Sequence, residues 1–223
     1  DVIVGRLVTQ KERVHMPYVV VKVPQFSFRK LRGADPVAHV EMSSTGEVSA
    51  FGPDAWSAFL TAIIATGMQY PPKKVVFLRL GGYKGRLQFL KGAHILHLLG
   101  YTIYATAGTA FFLKENNIPA ITVTKIHESA GITILDLLAK KSIDFAVVTT
   151  QEYRAAGSIK VKKALTDGYI MRRMAIDLGV PIFTNSASAS FFIEAIRRYT
   201  PETLLIRSWQ EYVGMPEVKK EVL

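Results

Sequence analysis

The second part of the chain constrains the fold most, because short apolar runs and helical segments alternate there five times. Runs at 75–78, 102–105, 120–123, 145–148 and 180–183 have strand length and composition. Each is followed by a stretch of helical spacing, over 86–99, 109–116, 133–140, 166–178 and 188–199. Consecutive parallel strands need a crossover of a dozen or more residues, which a helix supplies. The alternation therefore predicts an α/β fold with a five-stranded, doubly wound parallel sheet of Rossmann type, helices on both faces. Gly100, Asn117 and Gly179 sit just past the helices they terminate. Pro181 has no N–H to give to a ladder, so the fifth strand must start there or lie at an edge.

The first part has a different rhythm. Val19, Val21 and Val23 alternate with Val20 and Lys22, and 37–42 and 48–51 read as further short strands between Gly and Pro residues. Residues 54–64 have helical spacing with Asp54 as the N-terminal cap. The paired Pro71 and Pro72 stop that helix and prevent another from restarting through them. Three segments follow: a strand-rich α+β segment over 1–71, the parallel-sheet domain over 72–200, and a tail over 201–223. Residues 1–14 run straight into a strand, so the N-terminus is expected to be a cut inside a longer protein. The tail suggests that the parent ends with this chain, which argues against fusion to a downstream enzyme.

Charge follows the same division. The 223 residues have 28 Lys and Arg against 18 Asp and Glu, a formal net charge of +10. Residues 1–71 hold 7 basic and 6 acidic side chains, whereas residues 72–223 hold 21 and 12. A hydrophobic content of 49% excludes wholesale disorder. No apolar run approaches the roughly 20 residues that span a bilayer, and no signal-peptide order opens the chain. Without cysteine there is no disulfide, no thiolate nucleophile and no Cys-ligated zinc. A reducing, cytoplasmic setting fits. The basic excess leaves nucleic acid, an anionic surface or a small anion as the partner. Its residues scatter over loops and helices without aromatic platforms, which weighs against nucleic acid.

Open parallel sheets bind ligands beyond the carboxyl ends of their strands, where helix N-termini expose N–H groups. The five loops there carry Gly81, Gly82 and Lys84; Thr106, Gly108 and Thr109; Thr124 and Lys125; Thr149 and Thr150; and Thr184, Asn185 and Ser186. Hydroxyl and N–H donors around a lysine suit a phosphate or carboxylate. Two threonines at one strand-helix turn are more often a helix cap, but donors recurring in all five loops favour a ligand. Catalysis is less well supported. Glu128 is the one loop carboxylate near the cradle, with Glu152 just outside it, so no acid–base pair forms. Asp136, Asp144, Asp167 and Asp177 fall where they cap helices or stay solvated. Ser186 and Ser188 lack a nucleophile elbow. His94 and His97 lack a third metal ligand and read as helix-surface or satisfied core residues. No P-loop or GxGxxG motif is present. Trp56 and Trp209 read as packing residues. The basic side chains Arg154, Lys160, Lys162, Lys163, Arg172 and Arg173 read as a solvated loop and helix face.

Two stretches carry a resemblance to a known family. Residues 21–36, VKVPQFSFRKLRGADP, followed by 41–48, EMSSTGEV, resemble the end of the second ATP-grasp half of the large chain of carbamoyl phosphate synthetase. Residues 104–109, YATAGT, and 168–173, GYIMRR, resemble that family's regulatory domain, which shares its fold with methylglyoxal synthase. The resemblance implies that 1–71 is an ATP-grasp remnant and 72–200 an allosteric domain. The implied parent makes carbamoyl phosphate from bicarbonate, ammonia and two ATP with magnesium or manganese, for pyrimidine or arginine synthesis. Its catalytic machinery lies upstream, so this fragment by itself is expected to be inactive, with no cofactor or metal of its own. A glutaminase partner and homo-oligomerisation are implied too.

For the regulatory domain the family motif puts Thr106, Thr109 and Lys125 against an effector's anionic group, with Lys84, Thr149 and Thr150 as further contacts. Family members that respond to N-acetylglutamate tend to have Trp at position 125. Lys125 therefore favours a phosphate, with a uridine nucleotide as inhibitor and phosphoribosyl pyrophosphate as candidate activator. The alternatives are the ammonia-dependent, N-acetylglutamate-regulated type and a methylglyoxal-synthase-like lyase. The lyase's Gly-Gly-Asp loop has no counterpart at 127–131. Ser158, with Lys160, Lys162 and Lys163, falls where multifunctional relatives carry a regulatory phosphorylation loop.

Overall fold

The computed structural model describes residues 16–37, 45–124, 131–149 and 167–214. The valine alternation forms β1 (Val19–Gln25), in which Val19, Val21 and Val23 are half-buried while Val20 and Lys22 face solvent. β1 pairs antiparallel with β2 (Gly46–Gly52), Val21 opposite Ala50. Most of the strand expected over 37–42 lies outside the described residues. α1 (Ala55–Ala65) starts where predicted: Asp54 accepts the Ser57 N–H at 2.8 Å, and Ser57 completes a capping box.

The five expected units follow as β3 (Val75–Arg79), α2 (Gly82–Leu98), β4 (Thr102–Thr106), α3 (Ala107–Glu115), β5 (Ile121–Val123), α4 (Ile134–Ala139), β6 (Phe145–Val148), α5 (Asp167–Leu178), β7 (Ile182–Phe183) and α6 (Ser186–Arg198). The strands lie in the order β5-β4-β3-β6-β7, all parallel. The apolar runs of the central strands β3 and β6 are continuous because both of their faces are covered. Val76, Leu78, Phe145 and Val147 face α2, α3 and α6, whereas Phe77, Ala146 and Val148 face α4 and α5. Asp144 accepts the Lys73 and Val75 N–H groups at 3.1 and 2.9 Å, tying the start of β3 to β6.

Several boundaries differ from expectation. α2, α3 and α6 begin two to four residues earlier, because their first turns hold small residues or, at Tyr83 and Lys84, exposed side chains. Apolar periodicity registers a helix only from its first buried apolar side chain. Gly82, at φ 62°, takes a conformation other residues resist. Asn185 caps α6 by accepting from Ala187 and Ser188 N–H at 2.8 and 3.2 Å. β7 starts after Pro181 and lies at the sheet edge, which removes the conflict the proline raised.

The first part leans on the same helix layer. Leu60 of α1 belongs to the α2–α6 core. Trp56 and Phe59 pack on Phe191 with ring centroids 6.1 and 5.0 Å apart, and Arg198 lies 3.8 Å over the Trp56 ring. The stretch after 200, expected as a tail, forms α7 (Trp209–Val213). Its anchor is Tyr212, buried against Tyr18 and Phe51, while Trp209, expected to pack, is 54% exposed.

Glu194 receives hydrogen bonds from Arg197 first and Arg198 second, which hold its carboxyl down to about 2 from an ordinary 4.5. A carboxyl lowered in the folded state contributes fully above its unfolded value and loses that contribution on acidification. Glu194→Gln should therefore flatten the decline in stability between about pH 4.5 and 2, read from urea midpoints. An unchanged slope would mean that the Arg197–Glu194–Arg198 cluster is not maintained in solution.

Candidate functional site

The order in which successive strands are added reverses between β3 and β6, the switch point at which open α/β sheets bind ligands. β3 runs out at Arg79, and Leu80 and Gly81 turn the chain into α2. Two threonines from elsewhere in the sheet domain hold this turn, Thr109 in the first turn of α3 and Thr149 just past β6. Thr109 Oγ1 accepts the Leu80 N–H at 3.2 Å, and Thr149 Oγ1 accepts the Gly81 N–H at 2.9 Å. Thr149 in turn donates its own N–H to the Arg79 carbonyl at 3.0 Å. The hydroxyl–amide bonds use buried side chains, Thr109 at 1% exposure and Thr149 at 6%, so the turn has little freedom.

Beyond this turn lies a cavity of about 570 Å³. On one side are Gly81, Lys84, Gly85 and Gln88 of the turn and α2; Thr149 is at the base; on the other are Thr184, Asn185, Ser186, Ala187 and Ser190 of α6 and its approach. The side chains follow from helical geometry. Lys84 and Gln88 are four apart on α2, as are Ser186 and Ser190 on α6, so each pair lines one face. Gly85 and Ala187 keep the walls apart, and a Cβ on Gly85 would stand 3.9 Å from Thr149 Oγ1. Lys84 is the one charged residue among the described lining residues.

Thr106 and Gly108 sit on the other side of the Leu80 turn. Thr106 is the N-cap of α3 without a side-chain cap bond, and its hydroxyl donates to Thr109 Oγ1 at 3.3 Å. Ala107 and Gly108 are exposed. The Arg86 guanidinium covers Gly108, with Nη2 3.0 Å from where a Cβ would be. Arg86 Nε is buried with no hydrogen-bond partner among the described residues. Burial, and then the neighbouring Arg172, pull the Arg79 guanidinium below its ordinary value, opposed by Asp167.

Of the residues the sequence singled out, Lys84 and Thr149 line the cavity, together with Gly81, Thr184, Asn185 and Ser186 of the same set of loops, and Thr106, Gly108 and Thr109 adjoin it through the Leu80 bond. Lys125, Thr150, Ser158, Lys160, Lys162 and Lys163 lie outside the described residues, as do Glu128 and Glu152. Gln88, Ser190 and Arg86 were missed. The signal for the first two was a polar residue four positions from another polar residue on a helix otherwise read for its apolar face. Among the described residues no group of His, Asp and Glu could hold a metal, and no helix is long and apolar enough to cross a membrane. His94 and His97 are both exposed on α2. Asp136 caps α4 with Thr133, and Asp177 pairs with Arg173. Arg172 and Arg173 correct the sequence reading: at 4% and 8% exposure they are buried, because residues 28–35 supply their partners.

Residues 88–184, from the middle of α2 to the residue after β7, match the family model of the MGS-like domain. The chain contains an MGS-like domain. Its relatives extend further along the chain than that match. The multifunctional protein pyr-3 of Neurospora crassa is 39% identical over 86% of this chain and 10% of its own length. The carbamoyl phosphate synthase large chain, C-terminal section, of Methanocaldococcus jannaschii is 38% identical over 87% of this chain and 30% of its own. The mitochondrial carbamoyl-phosphate synthase (ammonia) of Homo sapiens is 34% identical over 81% and 12%. The chain thus spans about a tenth of the length of the multifunctional relative, and less than a third of the archaeal one. The match takes in β4 to β7 of the parallel sheet, and the strand-rich part at the start of the chain is consistent with an ATP-grasp remnant.

Proposed function

We propose that this chain is the regulatory region of a carbamoyl phosphate synthase, and that its MGS-like domain binds a small anionic effector, a uridine nucleotide, at the carboxyl ends of the sheet strands. The observation that carries this reading is the cavity: one lysine, hydroxyls and amides from two facing helices, and no carboxylate among its described lining residues. A phosphate suits that set, since Lys84 supplies charge, the first turn of α2 supplies N–H donors, and Ser186 and Ser190 of α6 supply hydroxyls. Thr106 and Gly108, with Lys125 and Thr150, extend the binding surface on the family pattern. The synthetase chemistry, with its ATP and magnesium, belongs to the longer parent, and so do the glutaminase partner and assembly into oligomers. The names of the relatives support the parent's identity.

Effector binding acts by population shift: the anion stabilises the arrangement of this region that holds it better, and only that difference in affinity is transmitted. Calorimetry with uridine 5′-monophosphate and 5′-triphosphate, phosphoribosyl pyrophosphate and N-acetylglutamate tests the reading. Lys84→Met should weaken nucleotide binding about 10- to 150-fold, the equivalent of roughly 1.5–3 kcal/mol for a hydrogen bond to a charged group. Equal affinities in Lys84→Met and the unaltered chain would remove Lys84 from the site. A response to N-acetylglutamate alone would replace the nucleotide with a carboxylate effector.

A further inference from the structure

Two arginines lie buried at a seam between α5 and the loop that follows β1, away from the residues that line the cavity. Arg172 reaches both carboxylate oxygens of Asp35, Nε at 2.7 Å from Oδ1 and Nη2 against Oδ2. Arg173 Nη1 donates to the carbonyls of Phe28 and Leu31 at 3.0 Å and of Ala34 at 3.2 Å, while its Nε holds Asp177. The Tyr169 hydroxyl donates to the Gly33 carbonyl at 2.8 Å. Residues 26–37 contain neither strand nor helix. A loop of that kind ordinarily gives its carbonyls to water; here three of them converge on one guanidinium.

The same helix touches the end of β3. A Cβ on Gly168 would stand 2.6 Å from Arg79 Nη1 and 3.2 Å from Arg172 Nη1, so both guanidinium groups lie against the α-carbon of Gly168. Two like charges share that spot, with Asp35 paired to one of them. Arg79 is also the residue whose carbonyl receives the Thr149 N–H, and Leu80 and Gly81, next in the chain, are held by Thr109 and Thr149. Contacts therefore run from Thr149 and Gly81 at the cavity through Arg79 to the α-carbon of Gly168, and from there through Arg172 to Asp35.

We infer that Asp35, Arg172 and Arg79 are positioning residues that couple the cavity to the loop over 26–37, so that what happens at one is felt at the other. Displacing the turn at Leu80 and Gly81 carries Arg79 with it. Arg79 and Arg172 pack on the same glycine, so a shift of Arg79 reaches Arg172 across the Gly168 α-carbon, and Arg172 is locked to Asp35. Coupling of this kind is reciprocal. The ligand arm of the test rests on the effector reading above; the exchange arm does not.

The test uses the full 223-residue chain. Asp35→Asn keeps the size of the side chain and removes its charge. Without any ligand, hydrogen exchange should quicken about fivefold or more at residues 27–36, and also in the first turns of α5 and at Leu80 and Gly81, the lower end of ordinary coupling factors. Faster exchange confined to 27–36 would overturn the link. In the ligand arm, uridine 5′-monophosphate should bind Asp35→Asn with an affinity changed by about fivefold or more. Unchanged affinity would overturn the link and leave the effector site standing. No heat from the nucleotide in the unaltered chain would sink the effector reading, and the exchange arm would then decide the link alone. Should Asp35→Asn fail to fold, Arg79→Lys reads the same contacts from the cavity end: exchange at 27–36 must quicken, and unchanged exchange there refutes the coupling.

Discussion

Phe145→Ala should lower the unfolding free energy by about 3–5 kcal/mol, the range for emptying a fully buried aromatic site. Phe145 has no exposed surface and stands in β6, between β3 and β7. Its ring meets three others nearly edge-on or tilted: Phe192 at 5.3 Å, Phe183 at 6.0 Å and Tyr101 at 6.1 Å. The cost has two parts, the apolar surface returned to water and the void left among rings that a β-strand cannot close. Phe145→Leu should cost less, since most of the volume is kept. Urea unfolding measures both, and a loss below about 1 kcal/mol for the alanine variant would mean that the strand core repacks freely.

Arg173→Met should cost about 2–4 kcal/mol, because it leaves the carbonyls of Phe28, Leu31 and Ala34 and the Asp177 carboxylate without their shared donor. The figure is held below the sum for four orphaned acceptors because Asp177 is exposed and the Phe28 and Leu31 carbonyls still accept from the Leu31 and Ala34 N–H groups. Arg173→Lys should recover only part of the loss: one ammonium cannot span three carbonyls and a carboxylate as a planar fork does. Denaturant midpoints for the two variants check this. Equal stability of Arg173→Lys and the unaltered chain would show that the fork geometry is not what holds the loop.

The parallel sheet was legible because strands covered on both faces must be apolar along most of their length, and the central runs at 75–78 and 145–148 are so throughout. Helix ends were legible at Gly100, Asn117 and Gly179, all three at positive φ, where the chain leaves the helix in a left-handed turn. Helix starts were not. Gly82, Ala107 and Ser186 open their helices without a large apolar side chain, so spacing alone put the beginnings too late. The candidate site divided in the same way. Lys84 and Thr149 were found because hydroxyl and lysine donors stand in the loops after strands. Gln88 and Ser190 were missed because they lie inside helices, and only the pairing of α2 with α6 across the cavity gives them a common direction.

The sequence by itself determined the number and kind of the sheet's elements, since hydrophobic period and terminating residues act over a few positions along the chain. It determined too that an anion-suited set of side chains would gather at one end of the sheet, because every βα turn exits at that end. Only the tertiary structure decided which turns meet around the cavity, and that Arg172 and Arg173 are buried and not solvated. Their partners, Asp35 and the carbonyls of 28–34, stand more than 130 residues earlier. A charge is paired or solvated according to what the fold brings beside it, and no local pattern in the chain encodes that distance.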